Sequence, residues 1–274
     1  MNNNVVTFPW KRMQLPVRIG IFDSGAGGLS ILNALLQLYP FEFVFFADTA
    51  HLPYGQKSPD YLLERGKVIA RFFLSHNITT VIVACHTFSA TVLHLIRELF
   101  PTITFIDMLP PTIHAAAYVT RNKKIAVLAT SATIESHIHK RLCAQWYPDF
   151  LMSEQACPLL VPLIEADNVD ETELKKTVQL YVDFLKIGQQ DTCILGCTHY
   201  AFIASLVQEC VPAVQVISAH LLMEVLFYGP PYTNDNEQGS RFFITGSLPL
   251  FERSLISKMN NVHNKPYTLS LYTE

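Results

Sequence analysis

Val17-Arg18-Ile19-Gly20-Ile21-Phe22 runs directly into Asp23-Ser24-Gly25-Ala26-Gly27-Gly28, and Leu29, Ile31, Leu32, Leu35 and Leu36 then recur at helical spacing. A short apolar run that stops at a Gly-rich turn and reopens as an amphipathic pattern is a buried strand feeding a helix. The cycle repeats downstream. Phe43 to Ala47 is an apolar strand ending at Asp48-Thr49, Tyr61 to Leu74 has helical periodicity, and Thr80 to Ala84 is a strand ending at Cys85-His86-Thr87. A helix is expected from Ser89 to about Phe100. Strands alternating with amphipathic helices predict a parallel sheet covered on both faces, because each crossover helix must bury its apolar stripe.

The second half restarts the pattern. Lys124 to Ala129 ends at Thr130-Ser131-Ala132-Thr133, a helix and a short strand near Phe150 to Ser153 follow, then a long helix around Glu171 to Lys186. Thr192 to Gly196 closes the series at Cys197-Thr198-His199. The interval from Asp23 to Thr130 nearly equals that from Cys85 to Cys197, so two independent landmarks recur at one offset. The expected fold is therefore α/β, with two similar parallel-sheet domains related by pseudo-twofold symmetry and the active site in the cleft between them. The expected boundaries are 17–112 plus 221–274 for the first domain, 113–220 for the second, and a poorly ordered polar tail over 1–16.

Composition narrows the function. Half of the 274 residues are apolar and 16% are charged, which is globular rather than disordered. Lys and Arg number 20 against 23 Asp and Glu, a formal charge of −3, so no cationic field for nucleic acid or anionic lipid is present. Six cysteines spread through a long chain read as reduced thiols rather than a disulfide framework. With no long apolar leader and no run near the roughly 18 residues needed for a span, a cytoplasmic, membrane-free location is expected.

In parallel sheets ligands sit at the carboxyl ends of the strands, where every polar cluster above falls. Gly25-Ala26-Gly27 followed by Asp48 partly matches a dinucleotide fingerprint. However, Ser30 replaces the third glycine and Asp23 would face the pyrophosphate. Cys193, Cys197 and His199 invite a zinc reading, yet four residues of strand span about 13 Å at roughly 3.3 Å each, too far for one ion. No metal site is expected. Cys143, Cys193 and Cys210 read as core filler and Cys157 as structural. His137 and His139, two residues apart, do not share a helix face and are expected on the surface.

Cys85 and Cys197 stand apart, because each falls where a strand gives way to a helix whose N-terminus favours a thiolate. One thiol from each side of a cleft suits a reaction in which one removes a proton from a carbon acid and the other returns one to the opposite face. That inverts a stereocentre. Ser24, Thr87, Thr133, Thr198 and helix N–H groups supply the donors an enolate-like species needs. With no lysine placed for a Schiff base, the chemistry would be cofactor-free.

Ile19 to Ser30, Asp48-Thr49, Pro53-Tyr54-Gly55, Ala84-Cys85-His86-Thr87, Cys157 to Glu165 and Leu195 to Tyr200 together resemble the glutamate racemases, over about residues 18 to 220. Phe243-Ile244-Thr245-Gly246 resembles that family's C-terminal strand, which returns to the first half. The resemblance implies cofactor-independent interconversion of L- and D-glutamate for peptidoglycan synthesis, in a homodimer. It implies Cys85 and Cys197 as the acid/bases, with Asp23 assisting Cys85 and Glu165 and His199 assisting Cys197. It implies that Ser24, Pro53, Tyr54, Gly55, His86, Thr87, Thr130, Thr133 and Thr198 hold the substrate, together with Asp23 and His199.

The chain departs from the family pattern at three places. His86 stands where the family has Asn, with Phe88 for Ala nearby; Ala201 replaces a Pro; and Pro110-Pro111 replaces Glu-Pro between the domains. His86 touches the substrate shell, and the sequence leaves its charge open. Another acidic substrate such as aspartate, or a weakly active ligand-binding descendant, are the alternative readings.

Overall fold

The computed structural model describes residues 13–16, 18–39, 41–166, 170–228, 239–259 and 267–273. Its strands in chain order are β1 (Met13–Gln14), β2 (Arg18–Asp23), β3 (Glu42–Ala47), β4 (Thr80–Val83), β5 (Thr104–Asp107), β6 (Lys124–Ala129), β7 (Leu151–Ala156), β8 (Thr192–Gly196), β9 (Gln215–Ser218), β10 (Phe227–Tyr228), β11 (Ser240–Ile244) and β12 (Tyr267–Leu271). They form a six-stranded sheet in the order β12-β11-β3-β2-β4-β5 and a four-stranded sheet in the order β7-β6-β8-β9. Every pairing within both is parallel.

The duplication is visible in strand order. β3-β2-β4-β5 and β7-β6-β8-β9 place the second, first, third and fourth strands of each half in the same sequence, and β11 and β12 extend only the first sheet. β11 pairs with β3, so the chain's C-terminal part returns to the first half.

The central strands of both sheets are buried on both faces, as unbroken apolar strands require. Ile21, Phe45 and Ile82 pack on one side of the first sheet, Phe22, Phe46 and Val83 on the other. Leu128 and Leu195 face one side of the second sheet, Val127 and Ile194 the other.

Helix boundaries follow caps that periodicity does not register. The helix expected from Tyr61 begins at Pro59, because the Ser58 side chain accepts from the Tyr61 N–H and Pro59 occupies the first turn. The helix expected from Ser89 begins at His86 and breaks at Val92 into His86–Thr91 and Leu93–Leu99. The strand expected at Phe150 runs from Leu151 to Ala156.

Within the expected tail, Met13–Gln14 pair with Phe227–Tyr228 and Leu15 is buried, since the apolar end of the segment covers the first core. Residues 1–12 and Val17 lie outside the described residues. Among the described residues no helix is long and apolar enough to cross a membrane.

Candidate active site

β4 runs out at Val83, and Cys85 caps the helix His86–Thr91 in extended conformation. β8 runs out at Gly196, and Cys197 precedes a 3-10 segment, Thr198–Ile203. The two thiols come from different sheets, both are buried, and both line one cavity of about 40 Å³.

On the first side, the Cys85 thiol donates to Ser24 Oγ at 3.5 Å, and Ser24 donates to Asp23 Oδ1 at 3.3 Å. The Gly25 N–H also reaches Asp23 Oδ1, at 3.0 Å. Burial pushes the Asp23 carboxyl above its usual range, and the His199 charge with hydrogen bonds from Gly25, Thr198 and Ser24 offsets this only in part. Burial, then the Asp23 charge, push the Cys85 thiol up to about 12. The expected help from the helix N-terminus is overridden at Cys85, because a buried thiolate beside a carboxylate loses more solvation than a short helix returns.

On the second side, His199 bridges two groups. Its Nδ1 lies 3.8 Å from Cys197 Sγ and its Nε2 lies 2.5 Å from Glu165 Oε1. Burial alone would lower this imidazole, but the hydrogen bonds to Cys197 and Glu165 and their charges outweigh it and hold it at about 10. Burial works against the Glu165 carboxylate, yet its bond to His199 holds it below the usual range. An imidazolium is thus presented to the Cys197 sulfur.

Three hydroxyls join the two sides. Thr87 and Thr130 are 2.8 Å apart, Thr130 and Thr133 3.0 Å, and Thr133 donates to Thr87 at 3.4 Å.

His86 lines the cavity and is neutral, because burial lowers it to about 4. Neither ring nitrogen has a well-formed hydrogen bond, and the backbone at Ala84 pulls upward far less than burial pulls down. His139, expected on the surface, is fully buried, its ring parallel to His86 at 6.4 Å between centroids. It sits in the first turn of the helix Ile138–Trp146, on the face turned toward the opposite half, whereas His137, two residues earlier and just before the helix, is exposed. Burial and then the neighbouring His86 lower it to about 3.

The Gly-rich turn owes its composition to crowding. No glycine among the described residues has positive φ. A Cβ on Gly27 would strike Thr198 Oγ1 and come within 2.6 Å of His199 Nδ1, so the second half approaches this backbone too closely for a side chain. That space is occupied by protein, which removes the dinucleotide reading. Cys193 is buried inside β8 while Cys197 lines the cavity, as strand geometry requires. No cluster of three or more metal-ligating side chains occurs among the described residues. Cys143 is buried as expected, and Cys210 only partly.

A family model described as Asp/Glu/hydantoin racemase matches residues 44–223. The chain belongs to the Asp/Glu/hydantoin racemase family. Within this racemase family, the chain is 40% identical to a glutamate racemase of Stutzerimonas stutzeri, over 71% of this chain and 74% of the relative. Two solved glutamate racemases superpose with TM-scores of 0.80. One is an isoform from Bacillus anthracis, 26% identical, with 93% of this chain and 96% of that chain covered. The other, from Francisella tularensis, was solved with D-glutamate; it is 25% identical, with 93% and 97% covered.

In this racemase the cavity is lined by Cys85, Cys197, His199, Ser24, Pro53, Tyr54, Gly55, His86, Thr87, Thr130 and Thr198. Asp23, Glu165 and Thr133 stand one layer behind, each bonded to a lining residue. Cys157 also lines the cavity, as do Ser131 and Val161, which sequence reasoning left out. Cys157 follows β7, and its position at a strand's carboxyl end was the signal that marks it.

Proposed function

We propose that the protein interconverts L- and D-glutamate without a cofactor, Cys85 and Cys197 acting as opposed acid and base. The observation that carries this reading is that Cys85 and Cys197, from opposite halves, line the same small cavity, Cys197 rather than Cys157 being the second-half thiol beside His199. For one enantiomer, a thiolate at Cys197 takes the Cα proton, forming an S–H bond and leaving the C–H electrons in an enolate-like carboxylate. The Cys85 thiol then delivers its proton to the other face. The reverse reaction exchanges the roles.

The surroundings support that division. Cys85 is held as a thiol by burial and Asp23, ready to donate, while the His199 imidazolium 3.8 Å from Cys197 is placed to hydrogen-bond a thiolate there. Asp23 serves Cys85, and Glu165 serves Cys197 through His199. Ser24, Thr87, Thr130, Thr133, Thr198 and the Pro53-Tyr54-Gly55 turn hold the substrate carboxylates and amino group. His86, neutral and larger than an amide, contributes a hydrogen-bonding edge rather than a charge.

Because enantiomers have equal free energy, kcat/KM is equal in the two directions. A preferred resting protonation state therefore appears as paired changes in kcat and KM. The cavity of about 40 Å³ has room for roughly three waters, so glutamate is admitted only when the halves part. The division into 17–112 with 221–274 and 113–220 is supported by sheet membership, since β2 to β5, β11 and β12 share the first sheet and β6 to β9 the second. With glutamate as the substrate, the reading extends to a supply of D-glutamate for peptidoglycan, in the cytoplasm, by a homodimer, as the sequence resemblance implies.

Incubation in deuterated buffer with a panel of amino acids tests the reading. Label at Cα of both glutamate enantiomers, and of no other amino acid, is expected. Label in aspartate instead changes the substrate, and no label anywhere removes the activity.

A further inference from the structure

Asp48 is fully buried at the end of β3 and receives bonds from three separate parts of the chain. Arg65, on the helix Pro59–Ser75, donates through Nε to Oδ2 and through Nη2 to Oδ1, both at 2.9 Å. The Tyr54 hydroxyl donates to Oδ2 at 2.5 Å, and the Thr245 hydroxyl, just past β11, donates to Oδ1 at 3.0 Å. Thr245 Oγ1 accepts in turn from the Ala50 N–H at 3.0 Å, and the Gly246 N–H donates to Thr49 Oγ1 at 2.9 Å. The segment Asp48 to Tyr54 is thus stitched at its first residues to the turn after β11, and at Tyr54 back to the Asp48 carboxylate that Arg65 grips.

The stitched segment leads into the cavity wall. Tyr54 is buried against Phe22 and Phe88, its hydroxyl turned toward Asp48. Gly55, the next residue, lies so close to the opposite half that a Cβ on it would come within 2.8 Å of Thr130 Cβ. The position of this turn therefore decides how the first half meets Thr130 when the cleft closes.

We propose that Asp48, held by Arg65 and Thr245, is a positioning residue that fixes the Pro53-Tyr54-Gly55 turn through the Tyr54 hydroxyl, so that Gly55 seats against Thr130 around bound substrate. This rests on the racemase reading above. A bidentate guanidinium holds the carboxylate in one plane, which gives the tyrosine a fixed acceptor. Without it, closure needs the turn to be ordered at the moment of binding, and affinity falls.

Removing Asp48 or Arg65 strands a buried charge and endangers folding, so the test uses variants that leave the ion pair intact. Tyr54→Phe and Thr245→Val each delete one hydroxyl, and Thr245 is not a cavity residue. KM for both glutamate enantiomers is expected to rise roughly 10-fold in Tyr54→Phe and by a smaller factor in Thr245→Val, with kcat changed less than about 3-fold. The double variant should raise KM by less than the product of the two, and Thr245→Ser should restore it. A lowered melting temperature with unchanged KM in both single variants would make the network merely structural and overturn the proposal. Failure of the unaltered protein to label Cα overturns the racemase reading and the proposal together; full labelling with unmoved KM overturns the proposal alone.

Discussion

Thr87, from the half that carries Cys85, and Thr130, from the half that carries Cys197, share a hydrogen bond of 2.8 Å across the cleft. Thr133 completes the triangle. Three hydroxyls that satisfy one another when the cleft is closed can turn together to a carboxylate, which accepts stronger, charge-assisted bonds. Thr130→Val is expected to raise KM for glutamate roughly 10- to 100-fold, the range for a bond to a charged group. Steady-state kinetics in both directions check this, and equal rises are expected for the two enantiomers.

Gly27→Ala addresses closure. Its Cβ meets Thr198 and His199 rather than anything within its own half, so each sheet's core is untouched. The variant should retain its melting temperature within about 2 °C while losing at least about 100-fold in kcat/KM, a misplacement effect of the size seen when reacting groups shift by an ångström. Thermal unfolding beside activity separates closure from folding.

Glu165→Gln removes the charge that supports His199. The imidazole is held at about 10, above its ordinary 6.5, so its stabilising contribution is complete below pH 6.5 and is lost as pH rises through about 10. The expected outcome is an alkaline limb of kcat that moves down by at least about one pH unit, with kcat reduced on the order of 100-fold. A kcat–pH profile measured on both proteins decides it.

His86→Asn tests the buried imidazole pair. With His86 at about 4 in the folded chain and 6.5 ordinarily, the unfolded chain binds the extra proton between those values. Stability contributed by its neutral form is therefore present above pH 6.5 and falls as pH drops toward 4; His139, at about 3, behaves alike. Replacing His86 should flatten the acid side of the stability–pH curve by on the order of 2 kcal/mol. Urea unfolding at pH 4.5 and 7 measures it, and the racemisation profile near neutrality should not change.

Much of this was written in local pattern. The strand–helix alternation, the near-equal intervals and the strand-tip clusters gave a duplicated parallel fold, and strands β6 and β8 fall where periodicity puts them. Caps moved helix starts, because Ser58 acts through a side-chain hydrogen bond and Cys85 through its extended backbone, neither of which hydrophobic spacing registers. His139 was misread because i, i+2 spacing tests only whether two residues share a helix face, whereas burial depends on what the opposite half supplies. The Cys85 environment was misjudged for the same reason. Desolvation is a property of the closed cleft, and no single strand end carries it. The network around Asp48 joins residues from three distant segments, beyond the reach of any short motif.

The central claim is that Cys85 and Cys197 work on opposite faces of one carbon. The most direct measurement uses a glutamate analogue carrying a leaving group on nitrogen, so that proton removal alone expels the group and gives an imine. Cys85→Ser and Cys197→Ser are each offered the two enantiomers, with racemisation of glutamate followed in parallel. Both variants should lose racemisation by several orders of magnitude while keeping the fold. Cys85→Ser should still process one enantiomer of the analogue, through Cys197, and Cys197→Ser only the opposite enantiomer, through Cys85. Processing of the same enantiomer by both variants, or full racemisation by either, would contradict the account.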